Sequence, residues 1–136
     1  EMEVFDNGHI NNMQPFIDMG IIKKPMVVSF VMGVLGGIAP TTKNILHQSE
    51  SVPEGANWQV IGIGRKQWAL LAAGLTIGGN IRAGLEDNFY LPSGEMATSN
   101  GELIKAATGL SRMLGREPST IEETRQRLGL PVAVSS

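Results

Sequence analysis

The chain has 136 residues, of which 42% are hydrophobic and 18% charged, and it contains no cysteine. That length suits one domain with a substantial core, and the lack of cysteine excludes a disulfide framework or a thiolate metal site. The net charge of -2 comes from 11 basic and 13 acidic residues with no basic run, which argues against a nucleic-acid partner. The most apolar stretch, residues 26–39, is too short to span a bilayer.

The beginning of the chain carries no recognisable signal peptide, so a cytoplasmic protein is expected. Position 1 is Glu and not Met, and the chain opens directly on a strand-like segment, EMEVF. This opening is typical of a fragment or a processed product.

The apolar pattern predicts four consecutive units of strand, turn and helix, and two helices finish the chain. Asn100 is predicted to cap the first of these last helices, and Ser119 or Thr120 the second, where either residue can open a capping box. The predicted strands are residues 3–5, 26–34, 57–64 and 80–87, and the predicted helices are residues 9–19, 42–51, 65–78, 102–115 and 121–130.

The strand at 26–34 is β-branched and almost continuously apolar, as in strands buried on both faces of a parallel sheet. Four such units indicate an α/β protein with a parallel sheet, either an open doubly wound sheet or part of a (β/α)₈ barrel. A complete barrel takes about 250 residues, so the barrel interpretation makes this chain roughly half of one. In both architectures the functional groups stand at the carboxyl ends of the strands.

Arg82, Glu86 and Asp87 follow one another on the fourth predicted strand. Alternation along a strand would place Arg82 and Glu86 on one face and Asp87 at the exit. An arginine and a glutamate on a buried face must be paired or must bind something. They form either part of an active site or a structural ion pair in which Asp87 caps a helix.

Gly36 and Gly37 end the second predicted strand just before a helix, a natural position for a phosphate or another anion. A tight turn would use the same glycines. His9 follows the first strand and His47 lies within a helix, and neither makes a metal site by itself.

Five segments together resemble the β-keto acid cleavage enzymes, whose founding member is the 3-keto-5-aminohexanoate cleavage enzyme of lysine fermentation. They are FDNGH, PMVVSFVMGVLGGI, WQVIGIGRKQ, GGNIRAGLEDNFYLPSGEMATSN and the ending GR-x-x-ST-x-x-E-x-R-x-x-LGL. The resemblance implies a (β/α)₈ barrel, with residues 1–136 forming a single partial domain that matches its C-terminal half, strands five to eight. It also implies a divalent metal, usually zinc, and the condensation of a β-keto acid with acetyl-CoA to give acetoacetate and a new acyl-CoA.

The resemblance assigns a role to each charged candidate. Glu86 is similar to the metal ligand of the family, Asp87 to its general base, and Arg82 to the residue that holds that base. Glu1 is similar to a strand-five carboxylate of the same network. We take Gly36 and Gly37 as the cofactor-binding positions.

The metal ligands of the family include an H-x-H pair, which is absent from this sequence. A catalytic zinc normally takes three protein ligands, so the chain alone is expected to be inactive and to need an N-terminal half-barrel or a homo-oligomer. One alternative is a non-catalytic half-barrel that self-associates to cover its exposed strand edges. Another is a different barrel enzyme that binds a phosphorylated substrate at Gly36 and Gly37.

Overall fold

The computed structural model describes residues 1–131 and shows a four-stranded parallel sheet in the order β1-β2-β3-β4. This confirms the predicted parallel α/β class. The strands are β1 (Met2–Val4), β2 (Val27–Met32), β3 (Asn57–Gly62) and β4 (Asn80–Arg82). The helices are α1 (Asn7–Asn11), α2 (Gln14–Asp18), α3 (Thr42–Ser51), α4 (Gln67–Thr76), α5 (Asn100–Met113) and α6 (Ile121–Arg127), with a short 3₁₀ turn before α4.

One face of the sheet is apolar and packs against the helices. Phe30 and Trp58 stack on this face with ring centroids 5.2 Å apart. A Cβ atom at Gly79 would lie 2.1 Å from the Trp58 ring, so only glycine fits directly before β4. The buried strand residues of this core are Val4, Val28, Phe30, Met32 and Val60.

The opposite face, which we call the inner face, carries most of the polar strand residues. The strand register puts Glu3, Ser29, Gln59 and Asn80 side by side across all four strands. Side chains alternate along a strand, so residues two positions away share this face. The inner face therefore consists of Glu1, Glu3, Val27, Ser29, Val31, Asn57, Gln59, Ile61, Asn80 and Arg82.

Apart from shifts of up to three residues at the ends of elements, two predicted elements differ from the structure. The helix predicted over residues 9–19 is two short helices, α1 and α2, because Pro15 in the first turn of α2 has no N–H to donate to a preceding turn. The fourth strand ends at Arg82 and not at Asp87. Residues 83–88 then form a turn, in which the N–H groups of Asp87 and Asn88 both donate to the Gly84 carbonyl.

The caps of the last two helices correct one prediction and confirm another. Ser99, and not Asn100, caps α5 by accepting the Glu102 N–H. Asn100 instead accepts the N–H of Leu85 at 2.8 Å, so its side chain joins α5 to the turn after β4. Thr120 caps α6 and forms the predicted capping box with Glu123.

Within residues 1–131, no helix is both long enough and apolar enough to cross a membrane.

Candidate active site

Arg82 is the centre of an ion cluster at the carboxyl end of the sheet. Its Nη2 and Nε atoms donate to Oδ1 and Oδ2 of Asp87 at 2.9 and 3.3 Å, so the guanidinium grips both carboxylate oxygens. Nη2 also donates to Oε1 of Glu86 at 2.7 Å, and Nη1 donates to Oε1 of Glu3 at 3.2 Å. The structure thus brings together Arg82, Glu86 and Asp87, as the sequence predicts, and adds Glu3.

The members of the cluster differ in exposure. The Asp87 side chain is 3% exposed, that of Arg82 is 35% exposed and that of Glu86 is 77% exposed. The hydrogen bonding of Arg82 to the Asp87 carboxylate, helped by the negative charges of Asp87, Glu86 and Glu3, raises the pKa of Arg82 against the opposing effect of burial. Arg82 is therefore a permanent cation, the Asp87 side chain is nearly buried, and the Glu86 side chain faces solvent.

The position of Glu86 has a different origin from the one predicted. Strand alternation does not place it beside Arg82, because β4 has already ended. The turn at residues 83–88 brings both acidic residues back over the strand end. Because Glu86 lies four residues after Arg82, one turn of chain is enough to close the ion pair.

Glu3 is a member of the cluster that was not predicted from the sequence. It lies on β1, at the opposite edge of the sheet from Arg82 on β4. Three strand spacings along a flat sheet amount to about 14 Å, so a direct contact requires the inner face to be concave. The signal was available, since Glu1 and Glu3 are two residues apart and share a face of the first strand.

Glu1 belongs to a separate hydrogen-bond group. Its Oε1 atom accepts from Gln59 Nε2 at 2.9 Å and from the Ser29 hydroxyl, and Gln59 also donates to Ser29 at 2.9 Å. This group lies on the inner face nearer the amino ends of the strands. The structure does not join Glu1 to Arg82, and the predicted network contact is made by Glu3 instead.

The loop after β2 explains both glycines in structural terms. A Cβ atom at Gly37 would lie 2.9 Å from the Phe5 carbonyl, and the N–H of Gly37 donates to the Val34 carbonyl. Gly36 has a φ of 84°, which favours glycine. The cofactor-binding role of Gly36 and Gly37 stays a prediction.

The two histidines take no part in the cluster. His9, on α1, accepts the N–H of Phe5 through Nδ1 at 3.2 Å, and His47 lies exposed on α3. Among residues 1–131, His, Asp and Glu side chains form no group of three that could hold a metal ion. The metal-ligand role of Glu86 stays a prediction.

A curved parallel sheet with an arginine and carboxylates gathered at the carboxyl ends of its strands defines an α/β protein of the kind that builds active sites at that edge. The comparison with protein families gives the particular class. The model of the beta-keto acid cleavage enzymes matches residues 1–130, and the chain belongs to this family.

Individual relatives agree with this assignment. The chain is 42% identical over 130 residues to the 3-keto-5-aminohexanoate cleavage enzyme of Fusobacterium nucleatum, and 38% identical to the enzyme of the same name from Acetoanaerobium sticklandii. It is 32% identical to the 3-dehydrocarnitine:acetyl-CoA trimethylamine transferase of Rhizobium meliloti. These matches cover 96% of this chain but 47%, 48% and 43% of the relatives, so the chain spans about half their length.

Proposed function

We propose that this chain is the C-terminal half of a metal-dependent β-keto acid cleavage enzyme, which condenses a β-keto acid with acetyl-CoA to form acetoacetate and a new acyl-CoA. The observation that carries the proposal is the cluster of Arg82, Glu86 and Asp87 at the carboxyl ends of the strands. The concave inner face supports a half-barrel over an open sheet, since Arg82 and Glu3 meet across its full width.

The chemistry of Glu86 fits a metal ligand. Its carboxylate is exposed, and Arg82 contacts its Oε1 atom. Oxygen and nitrogen ligands suit zinc, which takes three protein ligands and an open position in catalytic sites. The remaining ligands would come from the other half of the protein. When bound, the metal would polarise a carbonyl oxygen as a Lewis acid.

Asp87 has the properties of a general base that removes a proton from carbon. Arg82 contacts each of its carboxylate oxygens once, and each oxygen keeps a further lone pair for a substrate proton. The two hydrogen bonds from the guanidinium fix the plane of the carboxylate, so the base is already oriented when the substrate binds. Because its side chain is almost fully buried, Asp87 would meet its substrate away from bulk water.

The charge of the inner face and the adjoining turn bears on which partner completes the barrel. It favours a separate N-terminal half-barrel over a second copy of this chain. These residues include four carboxylates, Glu1, Glu3, Glu86 and Asp87, and one guanidinium, Arg82. Two copies facing each other would double this acidic excess, and like charges repel across an interface. A partner that brings a metal ion and its neutral ligands would reduce the excess.

The free edges of the sheet keep the self-associating half-barrel as a second candidate. In residues 1–131, β1 pairs with β2 and β4 pairs with β3, which leaves one edge of each outer strand without a strand partner. Such edges attract other strands. A homodimer with no metal and no turnover would favour this candidate, and light scattering with metal analysis would detect it.

We expect the isolated chain to form no acetoacetate from acetyl-CoA and a β-keto acid. Addition of zinc and of the part of the Fusobacterium nucleatum relative that this chain does not match should produce activity, because the missing metal ligands are then present. Acetoacetate formation measures the result, with 3-keto-5-aminohexanoate as the first substrate because it is named in the two relatives at 42% and 38% identity.

The control is the same mixture prepared with the Asp87→Asn chain, which should assemble but form acetoacetate at least about 10²-fold more slowly. Turnover by the isolated chain would contradict the half-site proposal. A mixture that assembles and binds zinc yet forms no acetoacetate from any β-keto acid would contradict the proposed reaction.

A further inference from the structure

The turn at residues 83–88 carries both acidic groups, yet it lies outside any strand or helix. Catalytic groups on loops are held less accurately than groups on regular elements unless other contacts fix them. One backbone contact comes from Gly64, whose N–H donates to the Asp87 carbonyl at 2.8 Å. The question is what else prevents the turn from moving relative to Arg82.

Two buried amide side chains provide the answer. Asn88, next to Asp87, is 4% exposed, and Gln67, the first residue of α4, is 0% exposed. Asn88 Nδ2 donates to Gln67 Oε1 at 3.3 Å, and Gln67 Nε2 donates to the carbonyl of Gly62, the last residue of β3, at 3.1 Å. A continuous path of hydrogen bonds therefore joins the turn to α4 and to the end of β3.

The Asn88 side chain also holds the backbone of Tyr90, in the segment that follows the turn. Its Nδ2 donates to the Tyr90 carbonyl at 2.6 Å, and its Oδ1 accepts the Tyr90 N–H at 3.2 Å. Trp68, the second residue of α4, donates its indole N–H to the same carbonyl at 2.8 Å. The first two residues of α4 thus hydrogen-bond to the segment directly after Asp87, Gln67 to Asn88 and Trp68 to Tyr90.

We propose that Gln67 and Asn88 are positioning residues, which hold the turn so that Asp87 meets the fork of Arg82 and Glu86 faces the metal. This inference rests on the proposed function. Neither amide side chain hydrogen-bonds to Arg82, Glu86 or the Asp87 carboxylate, so their effect on the reaction would be indirect. Two apolar side chains of similar volume could fill the same space without the desolvation of two amides, and what the amides add is a defined geometry.

Gln67→Met tests the proposal, because it conserves volume and removes both amide hydrogen bonds. The assay uses the chain assembled with the complementary half and zinc. We expect kcat to fall at least tenfold with KM within about twofold, and zinc affinity to fall in parallel because the turn carries Glu86 as well. Loss of both properties together distinguishes a displaced turn from the loss of one group.

Gln48→Met is the matched control. Gln48 lies on α3, is also 0% exposed, and neither its Nε2 nor its Oε1 has a hydrogen-bond partner. The control should leave kcat and zinc affinity within twofold of the original chain. Its stability should be equal or higher, since a buried amide without partners is unfavourable. Melting temperatures show whether both variants fold.

Hydrogen exchange of the Gly64 amide gives a readout that does not depend on turnover. Its partner is the Asp87 carbonyl, so movement of the turn should speed its exchange in Gln67→Met and not in Gln48→Met. If Gln67→Met fails to fold, Asn88→Leu takes its place with the same readouts. Unchanged Gly64 exchange, or kcat within twofold of the original chain, would overturn the proposal. If the original assembly itself forms no acetoacetate, the proposed reaction fails, while the exchange result still tests the positioning of the turn.

Discussion

Asp87→Asn is expected to lower kcat by about 10²–10⁴-fold in the assembled protein while zinc affinity stays within about twofold, because general bases contribute on that order. The amide keeps the shape of the side chain and can still accept from Arg82, but it cannot take a proton from carbon. Glu86→Gln should instead lower zinc affinity, since an amide is a poor zinc ligand. Turnover would then be lost together with the metal. Zinc content after dialysis and steady-state kinetics measure the two effects.

The contrast between these variants separates the two roles. Both remove one negative charge from the same turn and leave the backbone unchanged. If Asp87→Asn also loses zinc, Asp87 is a metal ligand or the variant has displaced the turn, and Gly64 exchange distinguishes these cases. If Glu86→Gln retains both zinc and turnover, the proposed ligand role is wrong.

The parallel sheet could be predicted from the sequence because its signals are local and repeated. The strand at 26–34 is too apolar for a surface strand, and β-branched segments alternate with helical ones along the chain. The end of β4 could not be predicted in the same way. The sequence from Asn80 to Glu86 still alternates, and only the tertiary contact of Asn100 with Leu85 and the tight turn at Gly84 show that the strand stops at Arg82.

In the candidate site too, local features could be predicted from the sequence and tertiary ones could not. Arg82, Glu86 and Asp87 are close in sequence, so their proximity could be predicted even though the predicted strand geometry was wrong. Glu3 reaches Arg82 only because the sheet curves, and curvature is a property of all four strands together. The supporting amides of Gln67 and Asn88 meet across 21 residues of chain, and no local pattern marks them as a pair.

Removal of the Arg82 guanidinium should give the largest loss of stability. Arg82→Met would leave Asp87 nearly buried without its cation, and breaking such a pair costs about 3–5 kcal/mol when both groups are buried. Arg82 is itself about one-third exposed, so water would replace part of the lost interaction, and we expect a loss on the order of 2 kcal/mol. Urea unfolding of the isolated chain measures this loss as a lower transition midpoint at constant slope.

The double variant Arg82→Met/Asp87→Asn decides the cause. If the uncompensated charge of Asp87 is responsible, the second change should restore most of the stability, because the buried group is then neutral. If the lost packing of the Arg82 side chain is responsible, the double variant should be no more stable than Arg82→Met. Arg82→Lys provides the intermediate case: its ammonium keeps the charge but cannot hold two oxygens of Asp87 in one plane, so stability should largely return while kcat stays at least tenfold low. Recovery of kcat by lysine would contradict a role for the fork in orienting Asp87 and would leave Arg82 as a charge partner alone.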